Sequence, residues 1–308
     1  IGDVHATHKN LNQVQELFSQ IEILGNTTIF LGDLLDTKEV IRGKCLNAFF
    51  DYFKSSKLTH IIVIGNHDYF NLECKDHSLK PLSSLSNVII ADRLTIFENM
   101  AFIPYSHDLD KLRSEIKEAK EENVKALFGH FDMVGFDYGN GRLCESGLTL
   151  KDFKNIPVVI SGHFHKYQRE KHFTYLGTPF SQSFGEANQD KYIATFDSES
   201  SEIKLIETLF PKHVSLDFKA YDYTHHQLID FLNKNKDNKV RIRLFGSVEE
   251  VQSFPKDKYS EFNVKWEDKS VSENQTGTIE EYSDNKSQFV SWAKDIKKLD
   301  DDTVSLGL

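Results

Sequence analysis

The sequence predicts an α/β fold, and three features predict it. Short apolar runs of strand length alternate with amphipathic stretches of helical period. Those runs are too uniformly apolar to belong to one-sided strands, which fits strands buried on both faces. Five glycine-led turns each follow such a run, as loops do at the carboxyl ends of strands in open α/β sheets.

Residues 28–31, 61–64, 88–90, 126–128, 158–160 and 192–196 read as buried strands, being short, apolar and bounded by polar or glycine-containing segments. Residues 11–24, 40–53, 109–122 and 148–153 read as helices from their apolar stripes. A further strand is expected to precede Gly2-Asp3, which would place residues upstream of Ile1. Near Phe210-Pro211 the pattern changes: residues 214–218, 225–233, 239–245 and 259–266 outline a small α+β unit. Residues 267–283 are polar without periodicity and read as a linker. Helical spacing then resumes, with Phe289, Val290, Trp292, Ala293 and Ile296 on one stripe. There are no internal repeats.

At 308 residues the chain has room for one large domain and a smaller one. No apolar run approaches the roughly 20 residues needed to span a bilayer, and no signal-peptide pattern opens the chain. Cys45, Cys74 and Cys144 are scattered and form no CxxC pair, which argues against a disulfide framework and a zinc-thiolate site and suits the cytoplasm. The net charge of -10 is unlike a protein that holds a polyanion by phosphate contacts alone. Either the partner is not a polyanion, or bound metal ions and another subunit supply the positive field.

The chemistry lies in five turns: Gly2-Asp3-Val4-His5, Gly32-Asp33-Leu34-Leu35-Asp36, Gly65-Asn66-His67-Asp68, Gly129-His130 and Gly162-His163-Phe164-His165. Their donors are Asp, His and Asn, with no thiolate. Such oxygen and nitrogen sets suit fairly hard divalent ions, manganese before zinc, with magnesium a weaker candidate. Asp-x-His and His-x-His each put two donors on one side of an extended segment. Asp33 is the candidate bridge between two ions, since a carboxylate has two oxygens to share. Any one turn is a weak signal; five in this order at strand ends are a strong one.

The ordered set DxH, GDxxD, GNHD, GH and GHxH resembles the calcineurin-like metallophosphoesterases. More narrowly, Gly177-Thr178-Pro179 and Ser183-Phe184-Gly185-Glu186 after the last turn resemble the SbcD-type DNA nucleases of phage and bacteria. The likeness covers about the first 210 residues; beyond them it is one of layout. It implies a four-layer α/β/β/α core over 1–210, a capping domain over 211–267, a linker over 268–285 and a helical segment over 286–308. By the family pattern Asp3, His5, Asp33 and His165 hold one ion, and Asp33, Asn66, His130 and His163 the other. His67 is the catalytic acid, Asp68 orients it, and Asp36 stands where many members carry a second catalytic histidine. The implied activity is a metal-dependent 3′–5′ exonuclease with endonuclease activity, serving recombination, repair and replication beside a coiled-coil SbcC-type ATPase.

The pairing of two ions answers the difficulty of the reaction. A phosphodiester repels nucleophiles by its own charge. Two ions about 3.5–4 Å apart activate a shared water, neutralise the nonbridging oxygens and align the phosphate. Other features carry less. Lys166, Arg169 and Lys171 are candidate DNA contacts, as is the alternating Lys239, Arg241 and Arg243. Phe289, Trp292 and Ile296 are candidate ATPase anchors, since an apolar helical stripe beyond a linker suits a partner groove. The helix over 40–53 is a candidate homodimer seam. His225-His226 marks a helix start, and His60, His77, His107 and His172 lie in no motif. Two rival readings share these residues: a small-molecule or cyclic-nucleotide phosphodiesterase, and a non-catalytic scaffold that recruits the ATPase. A protein phosphatase is disfavoured, because Thr37-Lys38 and Asp68 depart from GDxxDRG and GNHE.

Overall fold

The computed structural model describes residues 1–271, apart from Asn26, Glu39, Leu72, Asp222 and Tyr223. Three parallel strands, β1 (Thr27–Phe30), β2 (Thr59–Val63) and β3 (Val88–Ala91), form one sheet, with helix α1 (Leu11–Ile21) before it and α2 (Gly43–Ser55) between β1 and β2. Ile1 lies alongside β1: its amine donates to the Ile29 carbonyl (2.8 Å) and its carbonyl accepts from Leu31 N–H (2.9 Å). The second sheet is built from β4 (Thr95–Phe97), β5 (Met100–Ile103), β6 (Ala126–His130), β7 (Val158–Gly162), β8 (Gln168–Glu170) and β9 (Phe173–Tyr175), in the order β4-β5-β6-β7-β9-β8. Its four inner strands are parallel and its two edges antiparallel. Helix α3 (Leu109–Glu121) joins β5 to β6, and a hairpin of β10 (Tyr192–Asp197) and β11 (Glu202–Glu207) follows. The chain is thus a mixed α/β protein, as expected.

Strand alternation decides which side chains meet. Ile62 and Ile64 join Val14, Leu17 and Phe18 of α1 and Phe49 and Phe53 of α2 in one buried cluster. Ile61 and Val63, pointing the other way, join Phe102, Phe128 and Ile160 of the six-stranded sheet. There the Phe102 and Phe128 rings stack at 5.3 Å. On that sheet's other face Ile103, Leu127 and Val159 pack with Leu112 and Ile116 of α3. With both faces covered, the central strands have no polar alternation, which is why they read as apolar runs.

Beyond Phe210 come β12 (His213–Lys219), α4 (His225–Lys234), β13 (Lys239–Ser247), α5 (Val248–Ser253) and β14 (Val264–Val271), the strands forming a parallel sheet with its own core of Leu228, Leu232, Ile242 and Leu244. Here β14 corrects the expected linker. The strand continues through residue 271, past the expected boundary at 267, because its backbone pairs with β13 up to Ser247 whatever its polar side chains do. An edge strand can face water on one side and so loses the apolar signature. Residues 272–308, with the rest of the linker and Phe289, Trp292 and Ile296, lie outside the described residues.

Two helix expectations also change. The helix expected over 40–53 starts at Gly43, since Arg42 is extended (φ -81°, ψ 98°). The helix expected over 148–153 is a run of turns, in which Asp152 accepts from both Thr149 N–H (2.7 Å) and Thr149 Oγ1 (2.9 Å). That local capping satisfies the backbone with no helix following.

His60 on β2 is fully buried against Phe53 (4.6 Å between centroids), and neither ring nitrogen has a hydrogen-bond partner. Burial pushes its pKa down to about 4. The unfolded chain, titrating near 6.5, therefore binds the proton first. Stability is fully present above pH 6.5 and falls as pH drops towards 4, by about 1.4 kcal/mol per unit. His60→Leu is expected to remove this component, so that urea midpoints of variant and native protein diverge progressively below pH 6.5. Parallel curves would rule the effect out.

Candidate metal centre

The turns are shaped by backbone before side chains enter. His5 (φ 45°), Asp33 (φ 50°) and His163 (φ 95°) are all left-handed non-glycine residues. Each such conformation costs on the order of 1–3 kcal/mol and persists only where surroundings enforce it. Glycines permit the close approach: a Cβ on Gly65 would lie 2.2 Å from Asp33 Oδ1, and one on Gly2 would lie 1.9 Å from the Gly177 carbonyl oxygen. The Gly177-Thr178-Pro179 segment therefore lies directly against the first turn.

Asp33 sits at the middle. Its Oδ2 is 3.5 Å from His5 Nε2 and 3.5 Å from His130 Nε2, while Oδ1 accepts the His67 backbone N–H at 2.7 Å. Around it the donors fall into two overlapping groups, Asp3–His5–Asp33 and Asp33–His130–His163, each with donor atoms within 4.8 Å of one another. Asn66 Oδ1 reaches His130 Nε2 (2.9 Å), and His165 Nε2 reaches His5 Nε2 (3.1 Å). All seven expected ligands thus converge, sharing Asp33. A third grouping, His5–Asp36–His67, adjoins them.

This constellation fits divalent cations. Asp3 and Asp33 are fully buried, and the buried atoms Asp3 Oδ2 and His5 Nδ1 have no hydrogen-bond partner. A buried carboxylate oxygen left unpaired is costly, and a cation is the usual remedy. The charges already respond to each other. Burial alone would lower the His130 pKa, but Asp33 and Asp3 outweigh it and carry it up to about 9. Burial alone would raise that of Asp33, but the imidazoles of His130 and His5 hold it well below the ordinary carboxylate range.

Outer hydrogen bonds orient the rings. His130 Nδ1 bonds the Leu31 carbonyl (2.7 Å), so in the neutral ring, the form that binds a cation, Nε2 carries the lone pair. His163 Nε2 pairs with Asp132 Oδ1 (2.9 Å), and His165 Nδ1 with Glu186 Oε1 (2.8 Å). Asp132 had no signal in the sequence beyond lying two residues past His130. Glu186 closes the Ser183–Glu186 segment, to which the sequence alone assigns no role.

His67 adjoins the donor groups, and its support differs from the one expected. Its Nδ1 bonds the backbone carbonyl of Asp36 (2.7 Å), and its ring lies edge-on to His5 at 4.7 Å. The expectation that Asp68 orients it is corrected. Asp68 is fully buried and accepts from the backbone N–H of Asp33 (2.8 Å), Leu34 (3.1 Å), Leu35 (3.4 Å) and Gly65 (3.0 Å). It ties two turns together and leaves His67 alone. The Asp36 carboxylate, expected in place of a histidine, is half-exposed, 3.8 Å from His5 Nδ1.

The basic candidates fare unevenly. Lys166 is paired with Asp137 (2.8 Å), which answers its charge, while Arg169 and Lys171 are exposed on the β8–β9 hairpin. Arg243 is bidentate with Asp217 (2.6 and 2.8 Å), and Arg241 lies 4.8 Å from the Phe184 ring centre and 3.6 Å from Glu267. Those two arginines serve the second unit and its seam with residues 183–186, not a free stripe.

Comparison with known proteins agrees with this geometry. The model of the calcineurin-like phosphoesterase family matches residues 1–167. Protein 244L of Invertebrate iridescent virus 6, named a candidate phosphoesterase, is 28% identical over 281 residues, covering 84% of this chain and 96% of its own length. Exonuclease subunit 1 of Enterobacteria phage T4 is 24% identical over 205 residues, covering 63% of this chain and 60% of the phage protein. A solved crystal structure superposes with a TM-score of 0.43 at 12% identity, over 65% of this chain and 94% of that one, and carries no argument.

Proposed function

This chain belongs to the calcineurin-like phosphoesterase family, and from that premise we propose that it is a DNA nuclease of the SbcD type. The observation that carries hydrolysis is Asp33 between two donor groups with His67 held beside them. Two divalent ions, Mn²⁺ before Mg²⁺, would be held by Asp3, His5, Asp33 and His165 and by Asp33, Asn66, His130 and His163. Bound there, they supply the nucleophile and neutralise the phosphate. The chain's own groups do the rest. His67, with Nδ1 committed to the Asp36 carbonyl, presents Nε2 to the leaving oxygen and protonates it. Asp68 fixes the Asp33 and Gly65 turns to each other, so that Asp33 and His67 keep their spacing.

DNA as the substrate is favoured by the phage exonuclease relative. It is also favoured by the Gly177–Pro179 and Ser183–Glu186 segments, which pack against the first turn and the last histidine. The four-layer α/β/β/α core is supported by the three clusters that alternate across the two sheets. The β12–β14 unit, extended to residue 271, is the cap. The helical segment beyond it would dock an SbcC-type ATPase, and a homodimer would form through α2, where Leu46 and Phe50 are half-buried. No helix among the described residues is long and apolar enough to cross a membrane.

Incubation of end-labelled duplex DNA with the protein and Mn²⁺, with and without the ATPase, tests this reading. Mn²⁺-dependent shortening from the 3′ end, abolished by EDTA, is expected. Hydrolysis of bis-p-nitrophenyl phosphate with duplex DNA left intact would favour the small-molecule phosphodiesterase. Inactivity on both would leave the scaffold reading.

A further inference from the structure

The two histidines of the Gly162–His165 turn are bonded through opposite ring nitrogens. His163 uses Nε2, to Asp132 Oδ1 at 2.9 Å, and His165 uses Nδ1, to Glu186 Oε1 at 2.8 Å. A carboxylate only accepts, so each bonded nitrogen carries a hydrogen, and in the neutral, ion-binding ring the lone pair is on the other nitrogen. We propose that Asp132 and Glu186 are positioning residues that fix opposite tautomers on this turn, so that His163 presents Nδ1 to one ion and His165 presents Nε2 to the other.

His163 is left-handed (φ 95°), so the turn departs from extended backbone and the one-residue spacing does not by itself decide whether the two rings meet one ion or two. Opposite tautomers divide them. Nδ1 is the nitrogen near the backbone and Nε2 the one at the far end of the ring, so the lone pairs emerge at different depths. The surroundings match this division. His165 Nε2 faces His5 Nε2 at 3.1 Å, within the group containing Asp3. His163 instead belongs with Asp33 and His130.

The two carboxylates are held differently. Glu186 is sealed in: Oε2 pairs with Lys191 Nζ (2.7 Å) and accepts from Thr178 Oγ1 (3.1 Å) and Gln182 N–H (3.2 Å). Lys191, 2% exposed, also donates to the His165 carbonyl (3.0 Å) and Thr178 Oγ1 (2.8 Å). All of its donors are occupied, so the pair is fixed as a unit and determines the ring's orientation. Asp132 is more open, with 29% of its side chain exposed and the Tyr105 hydroxyl 3.4 Å away. Sequence spacing gives the turn its histidines; these outer groups, from two other loops, give each histidine its ion.

The inference rests on the two-ion reading of the site, and calorimetric titration of the full chain with Mn²⁺ separates the two. The native protein is expected to bind two ions. Asp132→Asn should weaken one of them by about 10–100-fold, the usual effect of removing a ligand's outer partner, and spare the other. Glu186→Gln together with Lys191→Met, which avoids an unpaired buried lysine, should weaken the other ion and spare the first. The combined variant should weaken both. In either single-site variant the spin-coupled Mn²⁺ pair signal should give way to that of an isolated ion at one equivalent per site. Native affinity for both ions in all variants, or equal weakening of both ions in each, overturns the tautomer division while leaving the two-ion centre intact. A native protein that binds no Mn²⁺ overturns both. Should the Glu186 variant fail to fold, Asp132→Asn alone decides, since that position borders solvent.

Discussion

Asp33→Asn is expected to abolish binding of both ions and reduce hydrolysis to background, with the fold retained. The amide keeps an acceptor for the His67 N–H, the 2.7 Å bond that sets the spacing of the two turns. It can offer only one oxygen, and the atom 3.5 Å from both His5 Nε2 and His130 Nε2 becomes a donor facing nitrogens meant for cations. The charge balance changes as well. Two divalent ions against Asp3 and Asp33 leave about +2; against Asp3 alone they leave about +3, in a buried site where Coulomb terms are large. The measurement is thermal or urea unfolding with and without Mn²⁺. Each ion bound only by the folded state adds about 2.7 kcal/mol at a hundred times its dissociation constant. The native protein should show that stabilisation and Asp33→Asn should show none. A variant still stabilised like the native protein would remove Asp33 from the bridging position.

The five turns were legible in the sequence because their chemistry requires particular residue types at the ends of strands. Asp3, His5, Asp33, Asn66, His130, His163 and His165 could each be named before any fold was known, and the structure brings them within reach of one another. What supports them was hidden, for identifiable reasons. His67 is oriented by a backbone carbonyl, which any residue at position 36 could supply, so the identity of Asp36 says nothing about it. Asp68, adjacent to His67 in sequence, points into the core and collects four backbone N–H groups, a direction that only the turn's three-dimensional path decides. Asp132 and Glu186 reach their histidines across loops. Among the elements, β4, β5 and β11 were missed and the polar edge β14 was cut short: edge strands need no buried side chains to keep their ladders, and β5 spans only residues 100–103. The central strands β2, β6 and β7, buried along nearly their whole length, kept their apolar runs and were legible.

His67→Ala is expected to leave both ions bound while lowering the rate of phosphodiester hydrolysis by about 10²–10⁴-fold, the scale for loss of a general acid. The geometry separates these two effects. Among the described residues the His67 ring has one hydrogen bond, Nδ1 to the Asp36 carbonyl, and the contact with the centre through Asp33 belongs to its backbone N–H, which alanine retains. The ring lies edge-on to His5 at 4.7 Å, close enough to face a phosphate held by the ions without joining their donors. Its removal therefore takes a proton donor from the leaving oxygen and leaves the Asp33 geometry unchanged. The dependence on the leaving group gives the sharper test. An activated substrate such as bis-p-nitrophenyl phosphate departs as a weakly basic phenolate that needs little protonation, whereas a deoxyribose 3′ oxygen needs it most. The variant should thus lose far more activity on DNA than on the activated diester, at native Mn²⁺ stoichiometry. Equal losses on both substrates would assign His67 to holding the phosphate, and loss of an ion would assign it to the centre itself.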